Sequence, residues 1–134
     1  MNFKQKKSVI HDLGKLNLKI YDCITDDFIT DEVIITDEQL EHIRERHPEA
    51  YKNTKRYIKD ILDDPDYIFQ DKRPNTGLVV KKIINEDSTS LLVVKVITSN
   101  DKKGYKNSVI TGWTITEKRL QKYLRNKNII YKKE

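Results

Sequence analysis

The sequence contains a single cysteine, Cys23, so no internal disulfide bond can form and a reducing compartment is expected. No stretch approaches the roughly 18 consecutive apolar residues that a membrane-spanning helix needs. The basic N-terminal residues are not followed by the apolar segment of a secretory signal either. The sequence therefore predicts a cytoplasmic protein, acting in the cell that produces it or in a target cell, with no membrane partner.

Signatures of several enzyme classes are also missing. No glycine-rich phosphate-binding loop occurs, so nucleotide-dependent chemistry has no recognisable site. Ser108 lacks the glycines of a nucleophile elbow, and Cys23 has no catalytic partner in the sequence. His42 and His47 are five residues apart, which is about 140° around an ideal helix and does not make one zinc-binding face. We therefore expect neither a cofactor nor a metal ion.

Charge, by contrast, is abundant and unevenly distributed. The chain has 26 Lys and Arg residues against 21 Asp and Glu, a formal net charge of +5. Every charged residue from Asp22 to Glu38 is acidic, whereas Lys102 to Lys133 is dominated by Lys and Arg. Such asymmetry is typical of a protein that binds a polyanion. A lysine-rich solvated surface without a ligand explains the composition equally well.

Two consecutive helices are indicated near the middle of the chain. Thr36 and Gln39 have the spacing of a capping box, which places the start of the first helix directly after Thr36. This helix must end near His47, because a proline disfavours the helical conformation in the residue before it. Pro48 then suits the first position of a second helix, which ends at about Asp63.

The histidines of the first helix have different surroundings on a helical wheel. His47 falls on the apolar side with Leu40 and Ile43, so packing in the core is an adequate explanation of its presence. His42 lies beside Arg46 on another side, where a catalytic role and simple exposure are equally consistent with the pattern.

Strand patterns lie on both sides of the two helices. Before them, alternating apolar and polar residues predict a strand over 15–24, Gly14 predicts a turn, and a shorter strand over 8–13 carries an exposed His11. A brief strand over 33–35 leads into the helical cap. After the helices, short connections predict antiparallel strands at 67–70, 78–84, 91–98 and 107–115, then a helix at 116–125 and an edge strand in the terminal NIIYKK.

We therefore predict a single α+β domain, residues 1–134, in which N-terminal helices pack on one face of a roughly four-stranded antiparallel sheet. Residues 1–31 form an additional N-terminal strand or hairpin, residues 32–134 form the core, and a C-terminal helix follows the sheet. The other face of the sheet is left for a ligand. Polar residues interrupt the apolar strands at Lys81, Lys82, Lys95, Asn107, Ser108, Thr111 and Trp113. Because neighbouring residues of a strand point to opposite faces, only one of the two adjacent lysines lies on the ligand face.

The available side chains are those of RNA cleavage without a metal ion. In that reaction the ribose 2′-hydroxyl attacks the adjacent phosphorus, so the substrate itself supplies the nucleophile. Histidine can remove or donate a proton near neutral pH, and Arg and Lys stabilise the crowded phosphate oxygens. Ser and Thr hydroxyls position phosphate oxygens, and Tyr or Trp stacks an unpaired base.

The order of several motifs resembles a known family. The segments EVIITDEQLEHIRERHPEAY, DPDYIF, VVKKI, KNSVITGWTIT and NIIYK are similar to the phage-associated barnase/EndoU/colicin/RelE-like (BECR) nucleases, over roughly Glu32 to Lys132. The resemblance implies an α+β fold with a four-stranded antiparallel sheet and a metal-independent endoribonuclease that leaves a 2′,3′-cyclic phosphate. It also implies a toxin or effector of a phage or mobile element, with tRNA a frequent target and an immunity or antitoxin protein as a partner.

The same resemblance implies a set of site residues. The catalytic positions that it suggests are His42, Arg46, His47, Lys81, Ser108 and Thr111. The nucleic-acid-binding positions expected around them are Lys82, Lys95, Lys106, Asn107 and Trp113. The alternative to a ribonuclease is a non-catalytic module that keeps the fold and binds nucleic acid or protein, and a third class is a structural protein of a phage or mobile element.

Overall fold

A single mixed sheet organises the chain in the computed structural model, which describes residues 9–134. Within those residues the strands are β1 (Ile10–Lys15), β2 (Glu32–Thr36), β3 (Tyr67–Gln70), β4 (Thr76–Ile83), β5 (Ser88–Lys95), β6 (Asn107–Ile115) and β7 (Ile129–Lys132). The helices of the same range are α1 (Leu18–Tyr21), α2 (Asp37–Arg46), α3 (Pro48–Asp63) and α4 (Glu117–Asn126).

The α+β class is confirmed, but the sheet is larger than the four strands predicted. Its order within the described residues is β1-β2-β6-β5-β4-β3-β7, and every neighbouring pair is antiparallel except β2 and β6. The predicted strands β3 to β6 form the centre, and the terminal segment is an edge strand, as expected. The sequence did not indicate that β2 joins β6 in parallel, because such pairing requires a long crossover rather than a short turn.

The capping-box prediction is confirmed in detail. The Thr36 hydroxyl accepts a hydrogen bond from the Gln39 backbone N–H at 3.1 Å, and the Gln39 side chain accepts one from the Thr36 N–H at 2.9 Å. The first helix ends at Arg46, and Pro48 begins the second. Between them His47 leaves the helical conformation, with φ −135° and ψ 58°.

The predicted strand over 15–24 is wrong. β1 ends at Lys15, and the short helix α1 replaces the rest of that strand. The Asn17 side chain accepts a hydrogen bond from the Lys19 N–H at 3.0 Å, which stabilises a helical turn instead of an extended chain. Tyr21, within the same segment, is buried, and its hydroxyl donates to the Leu62 carbonyl at 2.7 Å.

Gly14 lies inside β1 rather than in a turn. Its φ of 91° is in the region that residues with a side chain rarely adopt, and the pairing register with β2 shifts between Asp12 and Lys15. Its N–H donates to the Asp12 carboxylate at 2.8 Å. The glycine therefore allows an irregularity in the edge strand.

Helices cover both faces of the sheet. The face covered by α2 and α3, here called the α2–α3 face, buries Ile43, Ile58, Ile61, Val79, Leu92 and Val109 in one cluster. On the opposite face, here called the α4 face, Leu120 of α4 packs in a second cluster with Phe69, Leu78, Val80, Leu91 and Val93. The expectation of one helix-free face is therefore wrong, because α4 has its own apolar side. What stays half-buried on the α4 face is part of β6.

Candidate active site

His47 contacts the only tryptophan of the chain. The two ring centroids are 5.4 Å apart, and the ring planes are inclined by 31°. Because Pro48 ends the regular helix at His47, the imidazole does not have to follow the helical wheel into the core, and it is half-buried against β6. This contact brings a histidine of the helical pair to the sheet.

A β-bulge places Ser108 of β6 on the same face as Thr111 and Trp113. Ser108 and Thr111 are three residues apart, so in a regular strand they would point to opposite faces. The register shifts at Ile110, so that Ser108 pairs with Lys95, Thr111 with Val93 and Trp113 with Leu91. Directly paired residues share a face, and Leu91 and Val93 pack under α4. Ser108, Thr111 and Trp113, here called the β6 strip, therefore lie on the α4 face together with Lys95.

Two cations near this strip have no ion-pair partner among residues 9–134. Arg46 is exposed and adjoins His47 in sequence, and Lys95 is exposed at the end of β5, opposite Ser108. Lys95 was expected within an apolar strand, but it is the last residue of that strand. Lys95 therefore lies beside Ser108 at one end of the β6 strip, and Arg46 is the sequence neighbour of the histidine that contacts Trp113 at the other end.

Lys81 lies far from His47. Its ammonium donates to the Asp64 carbonyl at 2.8 Å and is 3.2 Å from the Asp64 carboxylate. Asp64 follows the last residue of α3, a helix of 16 residues, whereas His47 precedes the first. Such a helix is about 24 Å long, so the structure does not bring Lys81 and His47 together. Hydrogen bonds from Lys133 and Lys81 lower the pKa of Asp64 below its usual value.

His42 also lies apart from His47. It is exposed and lines an open groove between β1, α2 and α3, together with His11 and the acidic residues Glu41 and Glu45. The two histidines are about 8 Å apart along the helix axis and face different surfaces. His11 is half-exposed as expected, and its ring bonds the Asp37 carboxylate at the start of α2.

Three other residues that were predicted to contact nucleic acid form hydrogen bonds or ion pairs with other residues of the chain. Asn107 is fully buried: its amide donates to the Thr30 carbonyl and accepts from the Ile97 N–H, each at 2.8 Å. Lys106 lies 3.3 Å from the Glu32 carboxylate, and Lys82 lies 3.8 Å from the Glu117 carboxylate.

Cys23 is consistent with a structural residue. Its thiol donates to the Ile20 carbonyl at 3.1 Å, and burial raises its pKa to about 11. A thiol with a raised pKa is a poor nucleophile near neutral pH.

Sequence reasoning did not single out Tyr105. This residue is 59 % exposed in the loop between β5 and β6. An aromatic residue between lysines, as in the segment KKGYK, is the signal that identifies it.

Neither a metal cluster nor a membrane-spanning helix occurs in the part of the chain that the structure describes. No three His, Cys, Asp or Glu side chains of residues 9–134 are grouped so as to hold a metal ion. No helix within that range has the length and apolar character to cross a membrane.

One comparison with known proteins gives a match. A family model described as phage-Barnase-EndoU-ColicinE5/D-RelE like nuclease2 matches residues 8–132. No curated protein and no solved structure matches the chain. The match begins before residue 32, so it also covers most of the N-terminal segment that the sequence resemblance left out. The division of the domain at residue 32 stays a prediction.

Proposed function

The chain belongs to the phage-Barnase-EndoU-ColicinE5/D-RelE like nucleases, and on that premise we propose that it is an endoribonuclease that cleaves RNA without a metal ion. Membership of a nuclease family indicates a nucleic-acid substrate. The finer proposal is supported mainly by one observation, the contact of His47 with Trp113 at the end of the β6 strip. Trp113 in turn shares its face of the sheet with the hydroxyls of Ser108 and Thr111.

The proposed reaction is an internal transesterification. The ribose 2′-oxygen forms a bond to the adjacent phosphorus while the bond from phosphorus to the 5′-oxygen of the next nucleotide breaks. A base accepts the proton of the 2′-hydroxyl and an acid donates a proton to the departing 5′-oxygen, so the number of protons is unchanged over the step. The products are a 2′,3′-cyclic phosphate and a free 5′-hydroxyl.

His47 takes the proton-transfer role in this proposal. Its ring is half-buried and held against Trp113, so its position is restricted, which proton transfer requires. Arg46, the neighbouring residue, provides charge-assisted hydrogen bonds to the phosphate oxygens. Ser108 and Thr111 position those oxygens from the strand.

The proposal gives His42 and Lys81 no part in the chemical step. His42 lines a groove on another surface, and Lys81 is bonded to Asp64 at the far end of α3. Both were suggested as catalytic by the family resemblance, so they serve as matched comparisons with His47.

The decisive experiment incubates total tRNA with the protein in EDTA. We expect cleavage by the wild type, a loss of about 10²- to 10⁴-fold in His47→Ala, and near wild-type cleavage in His42→Ala, because removal of a general acid or base has effects of that size. The 3′ ends of the products should carry a cyclic phosphate by mass spectrometry. An RNA with a 2′-deoxy nucleotide at the cleaved position should stay intact.

Two outcomes would contradict the proposal: cleavage by His47→Ala at the wild-type rate, or cleavage of the 2′-deoxy substrate. RNA binding that weakens with salt but leads to no cleavage would favour the alternative, a non-catalytic binding module.

We further propose that the protein acts in the cytoplasm as a toxin or effector of a phage or mobile element. Its partners would be RNA, tRNA included, and a cognate immunity or antitoxin protein. Expression of the wild type should arrest growth, whereas expression of His47→Ala at the same level should not. Equal growth of both strains would contradict the toxin role.

A further inference from the structure

The loop between β5 and β6 is held firmly at its base. The Asn107 amide accepts from the Ile97 N–H at 2.8 Å and so joins the two ends of the loop. Thr98 donates its N–H to the Asp101 carboxylate at 2.8 Å, which closes a turn. The Ser99 N–H donates to the Asp27 carboxylate at 3.1 Å, and this bond attaches the loop to the acidic segment before β2.

The outer part of the loop carries exposed side chains that are not packed into the core of the fold. Lys102, Lys103 and Tyr105 are exposed, and none of them has an ion-pair or ring partner among the described residues. Gly104, with φ 89°, turns the chain between the lysines and the tyrosine. A single exposed aromatic residue is ordinary on a protein surface. An exposed ring beside unpaired lysines is the combination that binds unpaired bases and their phosphates.

The position of the loop connects it with the proposed active site. Lys95 and Ser108 pair with each other next to the base of the loop, on the α4 face. From Trp113 back to Asn107 the strand measures about 20 Å, at roughly 3.3 Å per residue. A single nucleotide cannot touch both Trp113 and Tyr105, so the two aromatic residues would contact different nucleotides of one strand.

We infer that this loop is a second binding subsite, in which Tyr105 stacks an unpaired base and Lys102 and Lys103 contact the phosphates of a single-stranded RNA segment. The inference rests on the proposed nuclease function and specifies its substrate class: RNA with a single-stranded segment that continues from the cleaved bond along β6 to the loop. The subsite adds affinity and takes no part in the chemical step.

The test compares two substrate lengths. On a single-stranded ten-nucleotide RNA, Tyr105→Leu should lower kcat/KM about 5- to 100-fold, since base stacking on one aromatic side chain has effects of that size. On a dinucleotide, which cannot reach the loop, the same variant should match the wild type. Tyr105→Phe keeps the ring and should behave as the wild type on both substrates. Ile84→Ala removes an apolar side chain that is even more exposed than Tyr105, 90 % against 59 %, and lies outside the loop, so it should change neither rate.

The lysines have a separate readout. In the Lys102→Gln/Lys103→Gln double variant, the slope of log affinity against log salt should become less steep by about 0.7 for each lost phosphate contact with a single strand. An unchanged slope would contradict the phosphate contacts.

Each remaining outcome decides between the subsite and the proposed nuclease. If the wild type cleaves both substrates and Tyr105→Leu cleaves the long one equally well, the subsite does not exist. If Tyr105→Leu cleaves neither the ten-nucleotide RNA nor the dinucleotide, Tyr105 belongs to the cleavage site and the subsite proposal is wrong. If the wild type cleaves neither substrate, the nuclease proposal fails, and binding of a 2′-O-methyl ten-nucleotide RNA, measured by fluorescence anisotropy, tests the subsite alone. Unchanged binding in Tyr105→Leu would then overturn it.

Discussion

Asn107, the first residue of β6, connects three segments of the chain from a fully buried position. Its amide N–H donates to the Thr30 carbonyl before β2, and its oxygen accepts from the Ile97 N–H after β5. A side-chain amide is both donor and acceptor, so it satisfies the buried Ile97 N–H and the carbonyl of the part-buried Thr30 at once.

Asn107→Ala should therefore lower the free energy of unfolding by about 1–3 kcal/mol, because it leaves the buried Ile97 N–H and the Thr30 carbonyl without their partner. Urea denaturation measures the change. Asn128→Ala is the matched control: the Asn128 side chain is exposed and among the described residues bonds only the Gln70 side chain, so its loss should cost at most about 0.5 kcal/mol. A stable Asn107→Ala variant with weakened RNA binding would instead support the nucleic-acid contact that the sequence suggested.

For single residues, the sequence predicted which positions carry polar side chains within strands better than it predicted the burial and the partners of those side chains. Asn107 and Lys95 were selected because polar residues interrupted apolar strands. Asn107 proved to be buried with partners distant in the chain, and Lys95 to be an exposed strand end. Local patterns contain no information on such partners. Ser108 and Thr111 share a face only because of the bulge at Ile110, which no local signal marked.

For helices and strands, local sequence signals were sufficient to predict the ends of a helix where the interactions that determine those ends lie within the helix itself. The α2 capping box and Pro48 fixed both ends of the helical pair, because their hydrogen bonds and steric clashes involve residues only a few positions apart. The alternation of Leu16, Leu18 and Ile20 was misleading for the same local reason: Asn17 caps a helical turn there. Leu18 is consequently 40 % exposed rather than part of a strand face.

Removal of the Thr36 hydroxyl tests how much the cap contributes. Thr36→Ala should lower the free energy of unfolding by about 1 kcal/mol, since it removes the side-chain acceptor of the Gln39 N–H. Thr36→Ser keeps that acceptor and should change the free energy by only a few tenths of a kcal/mol. Chemical denaturation of both variants gives the comparison, and equal losses would show that the methyl group, not the hydrogen bond, stabilises this position.

At the scale of the whole molecule, Asp64 joins distant parts of the chain. Its carboxylate binds Lys81 of β4 at 3.2 Å and Lys133, just after β7, at 2.8 Å. It therefore links the end of α3 to the centre and to one edge of the sheet. The carboxylate is largely exposed, so salt and water weaken these bonds.

This arrangement predicts a pH dependence of stability. The bonds from Lys133 and Lys81 hold the pKa of Asp64 in the folded protein below the unfolded value of about 3.9. The stabilisation is therefore fully present above about pH 4 and is lost as the pH falls through the folded pKa. The difference in unfolding free energy between wild type and Asp64→Asn should be positive at pH 7 and shrink toward pH 2.

Asp26→Asn is the control for the loss of one negative charge, since Asp26 is exposed and has no ion-pair partner among the described residues. A difference between wild type and Asp64→Asn that stays constant from pH 7 to pH 2 would contradict the linkage through Asp64.

In the sheet, too, strand pairs that are close in sequence were predicted and a pair that is distant in sequence was not. Its central strands follow one another through short turns, and the sequence predicted them within a few residues. The parallel pair of Val33 with Asn107 joins segments separated by most of the domain, and nothing in either segment specifies the other. Neither that pair nor the placement of α4 on the second face follows from local patterns.

The pairing of β2 with β6 also determines when the proposed site can form during synthesis. A ribosome releases the N-terminal segments first, at about 5–20 residues per second. His47 therefore emerges with α2 long before β6, which supplies Trp113 and both hydroxyls. Until β6 has been translated and added beside β2, His47 lacks both Trp113 and the two hydroxyls. The proposed site can therefore form only after β6 has been translated.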